Sequence, residues 1–174
     1  MTRGFTAGFC SDGSPADGPF SVFNSLRRLD AGQRVGIDIP SYHGVGVPLI
    51  HYPIFILLGR TITASELSRN VISFLAFITP LACFFYAASR NRRATIVCSA
   101  VAVLAMESLF RTIAGPGNSM IVLRSMMPVF VFAIWLTKIK ESAKAFLIGS
   151  CMALAFLFGF EQGIALMLAV VGVS

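Results

Sequence analysis

The chain holds 174 residues, 56% of them hydrophobic and 13% charged, with a formal net charge of +6 from 14 Lys and Arg against 8 Asp and Glu. A soluble domain carries about 25% charged residues, so this composition excludes an ordinary soluble enzyme and, for most of the chain, disorder. What remains is an all-α integral membrane protein. The basic excess then reads as loop charge holding an orientation, and nucleic acid is not expected as a partner.

Residues 1–25, rich in Gly, Ser, Asp and Pro, read as a flexible lead-in. Residues 1–30 hold no apolar stretch of signal-peptide length. Residues 26–63 read as a polar loop that ends in the apolar segment 48–59, too short to span and therefore interfacial. Residues 64–174 read as a helical membrane domain. Thr63, Ala64, Ser65 and Glu66 have the form of a capping box and predict a helix start. The uncharged run 71–89 matches the length of about 20 apolar residues that a span needs, with Pro80 as a candidate kink.

Four spans are predicted, at about 66–89, 94–114, 120–137 and 145–160. Residues 164–173 make only half a span. They predict either an extension of the fourth helix past a polar break or a chain cut inside a span, and truncation is the preferred reading. Cys10, Cys83, Cys98 and Cys151 form no C-x-x-C pair and read as small buried hydrophobes.

Arg90, Arg92 and Arg93 follow the first span, and Lys138, Lys140 and Lys144 follow the third. The turn at 115–119 between the second and third has no Lys or Arg. The alternation places both basic loops in the cytoplasm and residues 1–63 outside. Glu107, Arg111, Arg124, Glu161 and Gln162 then all lie toward the outer ends of their helices, with Asp38, His43 and His51 on the outer loop. Ionisable groups within spans are costly, pair with one another and line cavities.

Each of these residues has a plain reading and a functional one. Glu107 and Arg111 are spaced i,i+4, an ion pair that neutralises two charges or a pair that holds an anionic headgroup. Arg124, one turn before Pro128, is a snorkelling helix-end residue or a phosphate fork. Asp38 sits among Gly, Pro and Ser residues, as a turn-forming Asx residue or as a general base. His43 positions a phosphate, assists Asp38 or bonds within its loop. His51, beside Tyr52 in an apolar stretch, reads as interfacial packing. Glu161, Gln162 and Gly163 break an apolar run, as a helix end or as a polar site. No Walker loop, zinc-protease helix or dinucleotide fingerprint is present.

Three stretches of the outer loop, 23–32, 36–38 and 42–48, together resemble the first outer loop of GT-C type polytopic membrane glycosyltransferases and their bacterial relatives. The match rests on Asp38 and on Tyr42, His43, Gly44, Val45, Gly46, Val47 and Pro48. It extends to Arg124 before Pro128 and to residues 158–163. The resemblance implies transfer of a sugar from a polyprenyl-phosphate donor on the outer face of a bacterial inner membrane. It implies Asp38 as base, with Arg111 and Arg124 on the donor phosphate. A divalent cation would share the phosphate's charge, though the sequence offers no dedicated ligand set. The family has a span before this loop and further spans after it. The resemblance therefore implies a fragment, or one part of a split protein whose other half is a partner. The rival reading is a non-enzymatic membrane subunit, a transporter or assembly component, that uses Glu107, Arg111 and Arg124 for packing or a solute path.

Overall fold

The computed structural model describes residues 17–39, 44–113, 122–123 and 125–173, and the fold among them is all-helical, with no strand. Seven helices follow in order: α1 (Asp17–Asp30), α2 (Gly46–Leu57), α3 (Ile62–Ser89), α4 (Arg92–Ile113), α5 (Met127–Trp135), α6 (Glu141–Phe158) and α7 (Phe160–Val173).

Helix α1 forms across a stretch whose Gly, Ser and Pro content pointed to a loose lead-in. Val22 and Leu26, spaced i,i+4, are buried, and Phe23 packs beside them. That stripe docks on α2 and α3, where the Phe23 ring meets Phe55 edge to face with centroids 6.1 Å apart. Tertiary packing supplies here what local propensity does not.

Helix α3 starts two residues before the predicted box. Its N-cap is Thr61, whose hydroxyl oxygen accepts from the Ala64 N–H at 3.1 Å. The residue type is the expected one, but Glu66 is left in the second turn and is free of any capping duty. At the other end Arg90 closes α3 in the left-handed region, at φ 53°. Asn91 then caps α4, its side-chain oxygen accepting from the Arg93 N–H at 2.9 Å. Two antiparallel helices are joined by this tight turn.

The Arg90 guanidinium also donates to the Leu136 carbonyl at 3.0 Å. The basic turns after α3 and after α5 therefore share one end of the molecule, as the charge alternation predicted. A run of rings, Phe85, Phe84, Phe132 and Trp135, packs α3 on α5 just above them.

The chain reverses at Gly159. Gly163 lies against Phe156, where an added Cβ would come within 2.9 Å of the Phe156 Cα. In a continuous helix seven residues separate such positions by about 10 Å. So α7 is neither an extension of α6 nor collinear with it. It folds back, and Leu166 and Val170 pack with Ile148, Cys151, Met152 and Ala155.

Two helices are long and apolar enough to cross a membrane, Ile62–Ser89 and Glu141–Phe158. Their most apolar stretches are only 17% and 11% buried within the chain.

Candidate functional site

The outer-loop candidates occupy the end opposite the basic turns. Residues 34–39 close on themselves. The Asp38 N–H donates to the Arg34 carbonyl at 2.9 Å. The Asp38 carboxylate accepts the Arg34 N–H at 2.8 Å and has the Arg34 guanidinium 3.8 Å away. Arg28 donates to the Asp38 carbonyl, and Ile39 is buried behind the turn. Asp38 itself stays 40% exposed. The carboxylate closes the loop backward onto the residue four before it, not forward as in an Asx turn, and it remains at the surface.

The loop is seated by glycines. Gly44 has φ +95°, and a Cβ there would clash with the Leu157 carbonyl oxygen and lie 2.8 Å from the Phe158 carbonyl carbon. Gly46 approaches the same carbonyl closely. The absence of side chains lets the start of α2 lie against the α6–α7 reversal. Glu161 and Gln162, exposed in the first turn of α7, thereby share an end with the Asp38 loop. Asp30 ties this end further, accepting from the Tyr52 hydroxyl at 3.2 Å and pairing with Arg60 at 3.1 Å.

Four other candidates fall where placement is not given. His43 and Arg124 lie outside the described residues. Glu107 and Arg111 lie on the last turns of α4, and their side chains lie outside what is described. No group of three or more metal-ligating side chains occurs among the described residues.

The most unusual chemistry is between α2 and α3. His51, Ser65 and Ser68 have no exposed surface at all, and Arg69 and Ser73 are each 5% exposed. Ser65, Ser68 or Arg69, and Ser73 recur at three- and four-residue spacing, so one face of α3 is polar for its first three turns. That face is turned inward, and α3 packs on α2, which carries His51. The Ser68 hydroxyl donates to the Ser65 carbonyl at 2.8 Å. The Arg69 charge acts on both His51 and Glu66.

The His51 tautomer follows from its partner. Nδ1 lies 2.6 Å from the Val47 carbonyl oxygen, and a carbonyl only accepts, so Nδ1 carries the proton. Burial pushes the imidazole down to about 4; the Val47 bond opposes this and the Arg69 charge adds to it. At neutral pH His51 is uncharged, and its Nε2 lone pair is an acceptor. Nε2 of His51, Oγ of Ser65 and Oε2 of Glu66 are buried with no hydrogen bond from another protein group.

Sequence reasoning assigned His51 to packing and Ser65 and Glu66 to a helix cap. The signal that identifies them is the inward polar stripe beside a histidine in an apolar helix, two patterns that meet only in three dimensions. Comparison with protein families, with curated proteins and with solved structures gave no match.

Proposed function

We propose that the chain is an integral membrane protein, with its basic end toward the cytoplasm and its α1–α2 end on the outer side of a bacterial inner membrane. The observation that supports this reading is the outward apolar surface. Ile96, Val97, Val101 and Leu104 on α4, Phe146 on α6, and Leu168 and Val171 on α7 are all exposed. A contiguous apolar surface costs about 25 cal/mol per Å² against water and nothing against lipid. The tilt and number of spans follow from labelling. Single cysteines at Asn91 and Ile139 should react only from the cytoplasmic side and one at Gly59 only from outside. Reaction of all three from one side would end this orientation.

The activity that best fits the outer end is transfer of a sugar from a polyprenyl-phosphate donor. It is supported by a surface carboxylate, Asp38, at the same end of the chain's helices as the exposed Glu161 and Gln162. Asp38 would take the proton of an acceptor hydroxyl, whose oxygen bonds to the anomeric carbon as the carrier departs as polyprenyl phosphate. Arg111 and Arg124 would hold that phosphate. The Asp38→Asn variant should insert normally and lose transfer from a radiolabelled polyprenyl-phosphate sugar. Full transfer by that variant removes Asp38 from the chemistry.

A second reading has its own observation. The Asp38 carboxylate closes its own turn on Arg34, which is what a structural residue in a non-enzymatic membrane subunit does. Under this reading Asp38→Asn loosens the loop and leaves every assay of the assembly unchanged.

A further inference from the structure

We infer that Arg28, Arg34 and the 34–39 loop form a site for the phosphodiester of a membrane lipid, at the depth of the headgroups. The site rests on the membrane placement proposed above and not on sugar transfer.

Depth comes from the spans. Helix α6 has 18 residues, a rise of about 27 Å, close to the hydrocarbon thickness of about 30 Å. Its end at Phe158 therefore stands near the hydrocarbon boundary opposite the exposed Lys138 and Lys140. Gly44 and Gly46 lie against the Leu157 carbonyl there, and a Cβ on Gly36 would meet Val45 at 3.2 Å. The loop is thus carried at the level where lipid phosphates lie. Ile37 within it is 70% exposed, a cost in water that the lipid boundary removes.

Charge names the group. The Arg28 guanidinium is held by two neutral acceptors, Gln33 Oε1 at 2.6 Å and the Asp38 carbonyl. Among the described residues no carboxylate pairs with it. Arg34 reaches the same residue, its Nε 3.8 Å from the Asp38 carboxylate. Two guanidinium groups therefore converge on Asp38, and its carboxylate offsets one of them. The single positive charge left over is the complement of a phosphodiester, a monoanion that a guanidinium fork recognises. The scaffold is closed before any ligand arrives: the Arg34 carbonyl accepts from the Ile37, Asp38 and Ile39 N–H groups at 3.3, 2.9 and 3.2 Å. A planar fork held on such a loop loses little freedom on binding.

Native mass spectrometry of the protein in neutral detergent tests the site, with phosphatidylglycerol and a short-chain polyprenyl-phosphate glucose as probes. At least one should be retained, and diacylglycerol, which lacks the phosphate, should not be. Displacement of phosphatidylglycerol by the polyprenyl lipid at the lower concentration assigns the site to a carrier lipid, and the reverse order assigns it to the bulk headgroups. Arg28→Gln should weaken retention about tenfold. Arg34→Gln should weaken it about threefold with the loop still closed, since the Asp38 carboxylate holds the Arg34 main-chain N–H. Asp38→Asn should tighten retention, because it removes the offsetting charge, whereas under the sugar-transfer reading the same variant loses activity. Binding and transfer can therefore fail separately. Retention of neither phosphodiester, equal retention of diacylglycerol, or weaker retention by Asp38→Asn would overturn the site. So would a loss in Arg27→Gln as large as that in Arg28→Gln, since diffuse charge alone would then explain the binding.

Discussion

The two ends of this molecule handle charge in opposite ways. At the basic end Arg92, Arg93, Lys138 and Lys140 stand in the open, and the partly buried Lys144 pairs with the exposed Glu141 at 3.0 Å. At the other end Arg69 is 5% exposed, and its charge is felt by a carboxylate, Glu66, and a neutral imidazole, His51. Exposed charges are solvated and individually expendable. Buried ones each need a complement, so every member of the α2–α3 cluster constrains the others.

The sharpest break in that contrast is Arg69→Ala. It removes a guanidinium that is only 5% exposed, whose charge acts on the partly buried Glu66, and should cost about 3 kcal/mol in denaturant unfolding. A loss under about 1 kcal/mol would show the cluster to be solvated after all. Acid comes next. His51 is held at about 4 in the fold against an ordinary value of 6.5, so the unfolded chain binds its proton first as pH falls. Its contribution is whole above about 6.5, drains away toward pH 4, and amounts to about 3 kcal/mol. Unfolding measured across that window should show the slope, and His51→Gln should flatten it. Gly44→Ala drives a Cβ into the Leu157 carbonyl at a left-handed position, and a loss of about 2 kcal/mol is expected in thermal unfolding. Thr61→Ala removes only a cap and should cost about 1 kcal/mol. The double change Lys138→Gln with Lys140→Gln should stay within about 0.5 kcal/mol by the same unfolding assay, since both side chains are exposed.

What the sequence disclosed follows the same division. The uncharged run 71–89 and the alternating basic loops are local signals, and α3, α4 and the shared basic end match them. Helix α1 was hidden because Val22, Phe23 and Leu26 make a stripe only when α2 and α3 are there to receive it. The Gly159 reversal was hidden because Glu161 and Gln162 mark a break without giving its angle. The α2–α3 cluster was hidden for a different reason. Ser65 and Glu66 are the residue types of a helix start, and Thr61, two residues before the predicted box, took that role instead. Asp38 was legible as a turn residue from its Gly and Pro neighbours, and the turn it closes is the one its carboxylate caps.

Arg90 carries one last implication. Its guanidinium grips a main-chain oxygen, at position 136, rather than a side chain. Drift in the identity of residue 136 therefore leaves the fastening between the α3–α4 and α5–α6 hairpins intact. Shortening residue 90 undoes it, so at this joint mutational tolerance is lopsided.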